Sequence, residues 1–164
     1  MNQQLYQLAK KFLFCLDPET AHHLTLQGLR VAENLHLLRS IFPAAVEDPV
    51  TVMGLKFPNR VGLAAGMDKE ANTVAAFGRL GFGFVEVGTL TPRPQPGNPK
   101  PRLFRCIPEQ AIINHMGINN PGVDKGVDNI RRTKGFNGVL GVNISKNKVT
   151  PNKEAHQDYL ACLR

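Results

Sequence analysis

Apolar residues recur at three- and four-residue spacing over residues 3–16. Leu5, Leu8, Phe12 and Leu16 share one helical face with Ala9 and Leu13 beside it, while Gln3, Gln7, Lys10 and Lys11 fall opposite. The pattern predicts an amphipathic helix. Asp17-Pro18-Glu19 restarts it: Asp17 can accept from free backbone amides, Pro18 suits a first turn, and Glu19 favours the positive end of the helix dipole. The second predicted helix runs over residues 18–38, with Leu24, Gly28, Val31, Leu35 and Leu38 along one side, and Phe42-Pro43 ends it. Such a pair is either a hairpin packed on its own protein or a monotopic pair lying on a membrane.

Residues 43–49, with two prolines and two acids, form a boundary, so the expected organisation is a helical hairpin over 1–45 and a second unit over 46–164. Beyond it the period changes. Val50-Thr51-Val52-Met53, Gly54 and Leu55-Lys56-Phe57 predict a small β-hairpin. Strands are then expected at 60–64 (RVGLA), 82–88 (FGFVEVG) and 138–144 (GVLGVNI), and helices at 70–80, 123–134 and 152–164. Residues 90–120 read as one long connection. Alternating strands and helices imply an α/β fold with a parallel sheet and right-handed crossovers. Three βα units fit an open doubly wound sheet or part of a (β/α)8 barrel. No G-x-G-x-x-G loop follows the first strand, which weighs against a dinucleotide site, and a whole barrel needs roughly 250 residues.

Composition narrows the function classes. No run of about 18 apolar residues exists, so no spanning helix is expected. The start lacks an apolar signal core with a small-residue cleavage site. Cys15, Cys106 and Cys162 are widely spaced and suggest neither a metal site nor a disulfide framework, so no metal is expected. The net charge of +7 is concentrated: residues 91–153 hold eleven Lys/Arg against three Asp/Glu, whereas residues 1–90 hold eight of each. Anionic small molecules, membrane surfaces or nucleic acid could answer that excess. No basic helix or aromatic platform accompanies it, so no nucleic-acid partner is expected.

Polar groups follow each predicted strand: Ala64-Ala65-Gly66-Met67-Asp68-Lys69, Gly88-Thr89-Leu90-Thr91-Pro92, and Asn143-Ile144-Ser145-Lys146-Asn147-Lys148. Strand carboxyl ends are where barrel and open-sheet enzymes build active sites, although each turn alone is ordinary βα chemistry. The connection at 91–105 is dense in proline and cations, and a loop of that length in a compact domain is usually functional or disordered. Asn114-His115-Met116-Gly117-Ile118-Asn119-Asn120 then offers several amides to a planar polar ligand.

GLAAGMDK at 62–69, GTLTPRPQPGNPKPRLFR at 88–105, INHMGINNPG at 113–122 and GVNISKNK at 141–148 closely resemble class 2 dihydroorotate dehydrogenases, as does the helical start with LDPETAH at 16–22. The likeness runs from about residue 5 to residue 164. It implies the first three units of a (β/α)8 barrel behind an amino-terminal helical hairpin, with FMN at the strand carboxyl ends. Dihydroorotate would be oxidised to orotate, and ubiquinone or menaquinone would reoxidise the flavin through a tunnel between the two helices. The implied location is the bacterial inner membrane surface, peripheral and cytoplasmic.

By the same match, Ala65, Gly66, Met67, Asp68, Lys69, Thr89 and Asn143 stand at FMN positions. Lys69, Asn114, His115, Met116, Gly117 and Ile118 stand at substrate positions, with Ile118 where an aromatic residue is usual. His22 and Arg105 stand in the quinone tunnel. The family's base serine would lie beyond Arg164, so no catalytic base is expected here. The alternative reading is a truncated, non-catalytic remnant of that enzyme.

Overall fold

The computed structural model describes residues 3–43 and 45–164; the side chain of Leu5 and the boundary residue Ala44 lie outside the described residues. Helix α1 (Gln3–Phe14) is followed by α2 (Pro18–Asn34) and a single turn, α3 (Leu38–Ile41). Asp17 caps α2 as its sequence implies, accepting from Thr20 N at 3.0 Å. The second helix is shorter than expected. His36 takes φ +59°, and the backbone closes on itself at residues 35–37 before restarting. That break turns Leu38 inward, where it is 3% exposed, and leaves Leu35 and Leu37 outside.

An antiparallel hairpin follows, β1 (Val50–Val52) with β2 (Leu55–Phe57). Strand β3 (Gly62–Leu63), helix α4 (Val74–Arg79), strand β4 (Phe84–Leu90), helix α5 (Val123–Arg132), strand β7 (Val139–Ile144) and helix α6 (Ala155–Leu163) make three βα units. The strands lie in the parallel order β3-β4-β7. Helices α4 and α5 pack on one face of this sheet. Val85 and Val87, both fully buried, meet Val74 and Phe77 of α4, and Ile130 of α5 joins the same cluster. Burying each such side chain contributes about 1.5–3 kcal/mol. The other face carries Glu86, Thr89 and Asn143. Helices on one face and polar groups on the other are the geometry of a barrel wall, not of a doubly wound sheet.

Two further expectations are corrected. Helix α4 starts at Val74, not at residue 70, because the fully buried Asp68 carboxylate takes the amides of Asn72 (3.1 Å) and Thr73 (2.8 Å) and holds that stretch as a turn. The 90–120 connection is not a plain loop: β5 (Leu103–Cys106) and β6 (Ala111–Asn114) form an antiparallel hairpin inside it. The loop around it is fastened by buried side chains. Thr91, Asn120 and Asn147 share hydrogen bonds of 2.9–3.2 Å, and Asn147 also reaches the carbonyl of Arg93 and Gln95 Oε1.

Among the ion pairs that dock the amino-terminal helices on this body, the most buried joins Glu19 to Arg102. Arg102 meets the Glu19 carboxylate from Nε (3.1 Å) and Nη2 (2.6 Å), and both side chains are at most 7% exposed. Its Nη1 donates to the carbonyls of Pro96 (2.6 Å) and Asn98 (2.8 Å). Removing one member of a buried pair strands the other charge, which costs about 3–5 kcal/mol. Glu19→Gln is therefore expected to lower the urea-unfolding stability of the chain by that amount. The double replacement Glu19→Leu with Arg102→Met should recover most of it. Equal losses in the single and double variants would show that the pair is not what joins α2 to the connection.

Candidate functional site

A cavity of about 650 Å³ opens at the carboxyl ends of β3 and β4. Leu63, Ala64, Ala65, Gly66, Met67 and Lys69 supply one wall and Thr89 its floor. Leu103, Ile112 and Asn114 of the second hairpin, with Met116, Gly117, Ile118 and Asn119 after it, supply the opposite wall, and His22 of α2 closes one end. The turns after β3 and β4 are stitched together, Gly66 N to Gly88 O and Gly88 N to Asp68 O, each 2.9 Å. Gly66 has φ +106°, and a Cβ there would meet nothing within 4 Å, so its backbone faces open space. The hairpin register explains its wall: Leu103 pairs with Asn114, so strand alternation puts Leu103, Ile112 and Asn114 on the cavity side.

Ten of the fourteen residues expected at the site line this one cavity: His22, Ala65, Gly66, Met67, Lys69, Thr89, Asn114, Met116, Gly117 and Ile118. Four are placed elsewhere. Asp68 holds the Asn72 and Thr73 amides and borders a neighbouring cavity of about 450 Å³. Asn143 stands beneath Thr89, accepting from its Oγ1 at 2.7 Å and donating to Glu86 Oε1 at 3.0 Å. His115 is exposed and stacks on Phe104 on the outer side of the hairpin, with ring centroids 6.0 Å apart. Arg105 reaches α1, donating to the carbonyls of Leu16 (2.9 Å) and Leu13 (3.2 Å), with its guanidinium 4.6 Å from the Phe14 ring centroid.

The sequence reading missed Glu86 and Arg102. Strand alternation was the available signal for Glu86, since it lies between Val85 and Val87 and must face the other side of the sheet. Asn119 borders both cavities. Its Oδ1 is buried with no hydrogen-bond partner among the described residues. Nothing local in the sequence marks Arg102, whose partner lies 83 residues away.

The electrostatics centre on two bases that share the cavity. His22 is pushed down to about 4, first by burial and then by the charge of Lys69 beside it. Burial also lowers Lys69, an effect the nearby Arg102 reinforces and Glu19 opposes. Asp68 is raised by burial, against the pull of the amides it holds. The site thus presents one lysine and one neutral imidazole on largely apolar walls. Among the described residues no group of three or more metal-ligating side chains occurs, and no helix is long and apolar enough to cross a membrane.

The chain is similar to known proteins. A family model described as dihydroorotate dehydrogenase matches residues 49–164. A dihydroorotate dehydrogenase (quinone) of Akkermansia muciniphila is 65% identical over 164 residues, covering 100% of this chain and 47% of that relative. One of Teredinibacter turnerae is 58% identical over 159 residues, covering 97% and 47%. The crystal structure of DHODH in complex with ferulenol from Eimeria tenella superposes with a TM-score of 0.69 at 40% identity, covering 87% of this chain and 39% of that one. The chain spans about half the length of the curated relatives it matches and aligns with their amino-terminal part. With a match that runs through all seven strands of the described residues and both walls of the cavity, the chain belongs to the dihydroorotate dehydrogenase family.

Proposed function

We propose that this chain is the amino-terminal part of a quinone-dependent dihydroorotate dehydrogenase, with FMN and dihydroorotate sharing the 650 Å³ cavity. The observation that carries the reading is the convergence there of ten residues drawn from four segments far apart in sequence. The volume and lining suit a flat ligand: apolar walls, a glycine whose backbone is bare, and a few polar groups. FMN would accept a hydride from dihydroorotate and pass the electrons on to a quinone. Ala64, Ala65 and Gly66 would lie against its ring, and Thr89, steadied by Asn143 and Glu86, would offer it a fixed hydroxyl. Lys69 would hold the substrate carboxylate, and Asn114 would pair with the pyrimidine amide edge.

The quinone reading assigns an entrance beside His22. Several apolar side chains along the amino-terminal helices are uncovered: Leu8, Phe12 and Val31 are each more than half exposed. An uncovered apolar strip with Lys10 and Lys11 opposite it suits a helix lying in a membrane interface. Peripheral binding to a cytoplasmic membrane surface, and ubiquinone or menaquinone as the acceptor, belong to the same proposal. The cavity is walled by β3, β4 and the second hairpin, and no serine lines it. The chain by itself is therefore expected to form no orotate.

A chimera tests the whole reading. Residues 1–164 placed in the matching position of the Akkermansia muciniphila relative should give an enzyme that reduces quinone with dihydroorotate, while the 164-residue chain alone gives no orotate above a protein-free control. Within the chimera, Lys69→Ala should lower the rate by about 10²-fold or more, and Lys56→Ala on β2 should leave it unchanged. A folded chimera unaffected by Lys69→Ala would refute the assignment.

Flotation of the chain with phospholipid vesicles should fail once Leu8 and Phe12 are replaced by Glu. Retention undiminished in that variant would remove the helices from membrane binding.

The imidazole of His22 supplies a pH prediction. Its folded value of about 4 lies below the ordinary 6.5, so between those limits the unfolded chain binds a proton that the folded chain refuses. Stability should fall as pH drops from 6.5 to about 4, with no further loss from this residue below. His22→Asn should flatten that slope. An NMR titration giving His22 an ordinary value near 6.5 would contradict the burial argument.

A further inference from the structure

A second cleft, of about 500 Å³, lies on the outer side of the body where α2, α4 and α5 end. It shares no lining residue with the strand-end cavity. Arg30, Arg39, Arg79, Arg132 and Lys134 line it against a single carboxylate, Glu33. Arg79 is engaged, with Nε 3.0 Å from Glu33 Oε1. Arg30, Arg39, Arg132 and Lys134 take part in no ion pair among the described residues.

Basic residues at helix ends have an ordinary purpose, since each carboxyl end carries about half a negative charge. Three such ends offset less than half of an excess of four formal charges. The remaining positive charge, close to that needed by a phosphate dianion, has no partner in the fold. The second observation is of opposite sign. Glu33 is buried, and its Oε2 has no hydrogen-bond partner among the described residues. A buried carboxylate oxygen left unmatched is costly, and only a donor relieves it. An anion alone satisfies the arginines and leaves Glu33 as it is. An amine alone satisfies Glu33 and is repelled by the arginines.

We propose that this cleft binds a phosphate ester that also carries a hydrogen-bond donor. The phosphate lies among Arg30, Arg39, Arg132 and Lys134, and the donor meets Glu33 Oε2. The ester can be a soluble metabolite or a phospholipid headgroup, because Leu35 and Leu37 are exposed beside the cleft.

Calorimetric titration of the 164-residue chain at constant ionic strength tests this, with inorganic phosphate and phosphoethanolamine as probes. Both should bind saturably, phosphoethanolamine more tightly. Arg132→Gln with Lys134→Gln, both on exposed positions, should weaken both probes by about tenfold or more. Arg39→Gln, on a different element, should weaken them in the same direction. Glu33→Gln should abolish the preference for phosphoethanolamine while phosphate still binds. Vesicles containing phosphatidylethanolamine separate the two sources. Retention lost in the Arg132/Lys134 variant assigns the headgroup, and retention unchanged, with solution binding lost, assigns a soluble ester. No saturable binding of either probe overturns the proposal, as does binding indifferent to all three basic replacements. A preference that survives Glu33→Gln overturns the donor half. The strand-end cavity can fail its own tests without affecting these outcomes.

Discussion

The walls of the strand-end cavity depend on the buried pairing of Glu19 with Arg102. Glu19 belongs to α2, three residues before His22, and Arg102 precedes the hairpin that carries Asn114. From Arg102 the constraint spreads through the carbonyls of Pro96 and Asn98. Asn98 in turn donates twice to the next segment: its backbone N–H bonds to Met116 O, and its side-chain amide bonds to His115 O. This ion pair thus links the helix that ends the cavity to the segment that forms its far wall. The attraction must repay the desolvation of two charges, and it does so here only because all three guanidinium nitrogens have acceptors and both carboxylate oxygens have donors.

The same pair shapes the chemistry of Lys69. Glu19 favours its charged form, whereas burial and Arg102 disfavour it. Because Arg102 and Glu19 are locked together, their opposed influences on Lys69 cannot be separated by a change in loop geometry. The carboxylate is held well below the usual range, first by the Arg102 hydrogen bonds. Its influence on Lys69 therefore persists through the mildly acidic range, in which an ordinary histidine would protonate.

How much of this was legible in the sequence follows from the range of each interaction. Asp17 capping α2 is a contact across three residues, and its sequence signature is complete. The β1–β2 hairpin and the strands at 84–90 and 139–144 carry apolar runs that no helix of that length would need. The hairpin of β5 and β6 was hidden because prolines precede it and because Ile112 and Ile113 are both exposed, so no burial alternation marks it. The start of α4 was misread because Asp68 competes with the helix for two backbone amides, a side-chain choice that propensity does not register. For the site, residues placed just after a strand were legible. His115 was not, because the register of an unseen hairpin decides which side it occupies.

Lys69 and His22 show what proximity does that neither residue implies alone. An isolated histidine titrates near 6.5 and would be partly charged in mildly acidic solution. In this cavity burial and the neighbouring ammonium act in the same direction on the imidazole, so His22 stays neutral across that range. Under the function proposed above, with its anionic substrate, the site benefits from that asymmetry. A second cation would draw the anion away from the position that one fixed lysine defines, whereas a neutral imidazole still offers a donor and an acceptor without competing for the charge. The single positive group in the cavity is in this sense a property of the pair, set by the approach of α2 to the turn after β3.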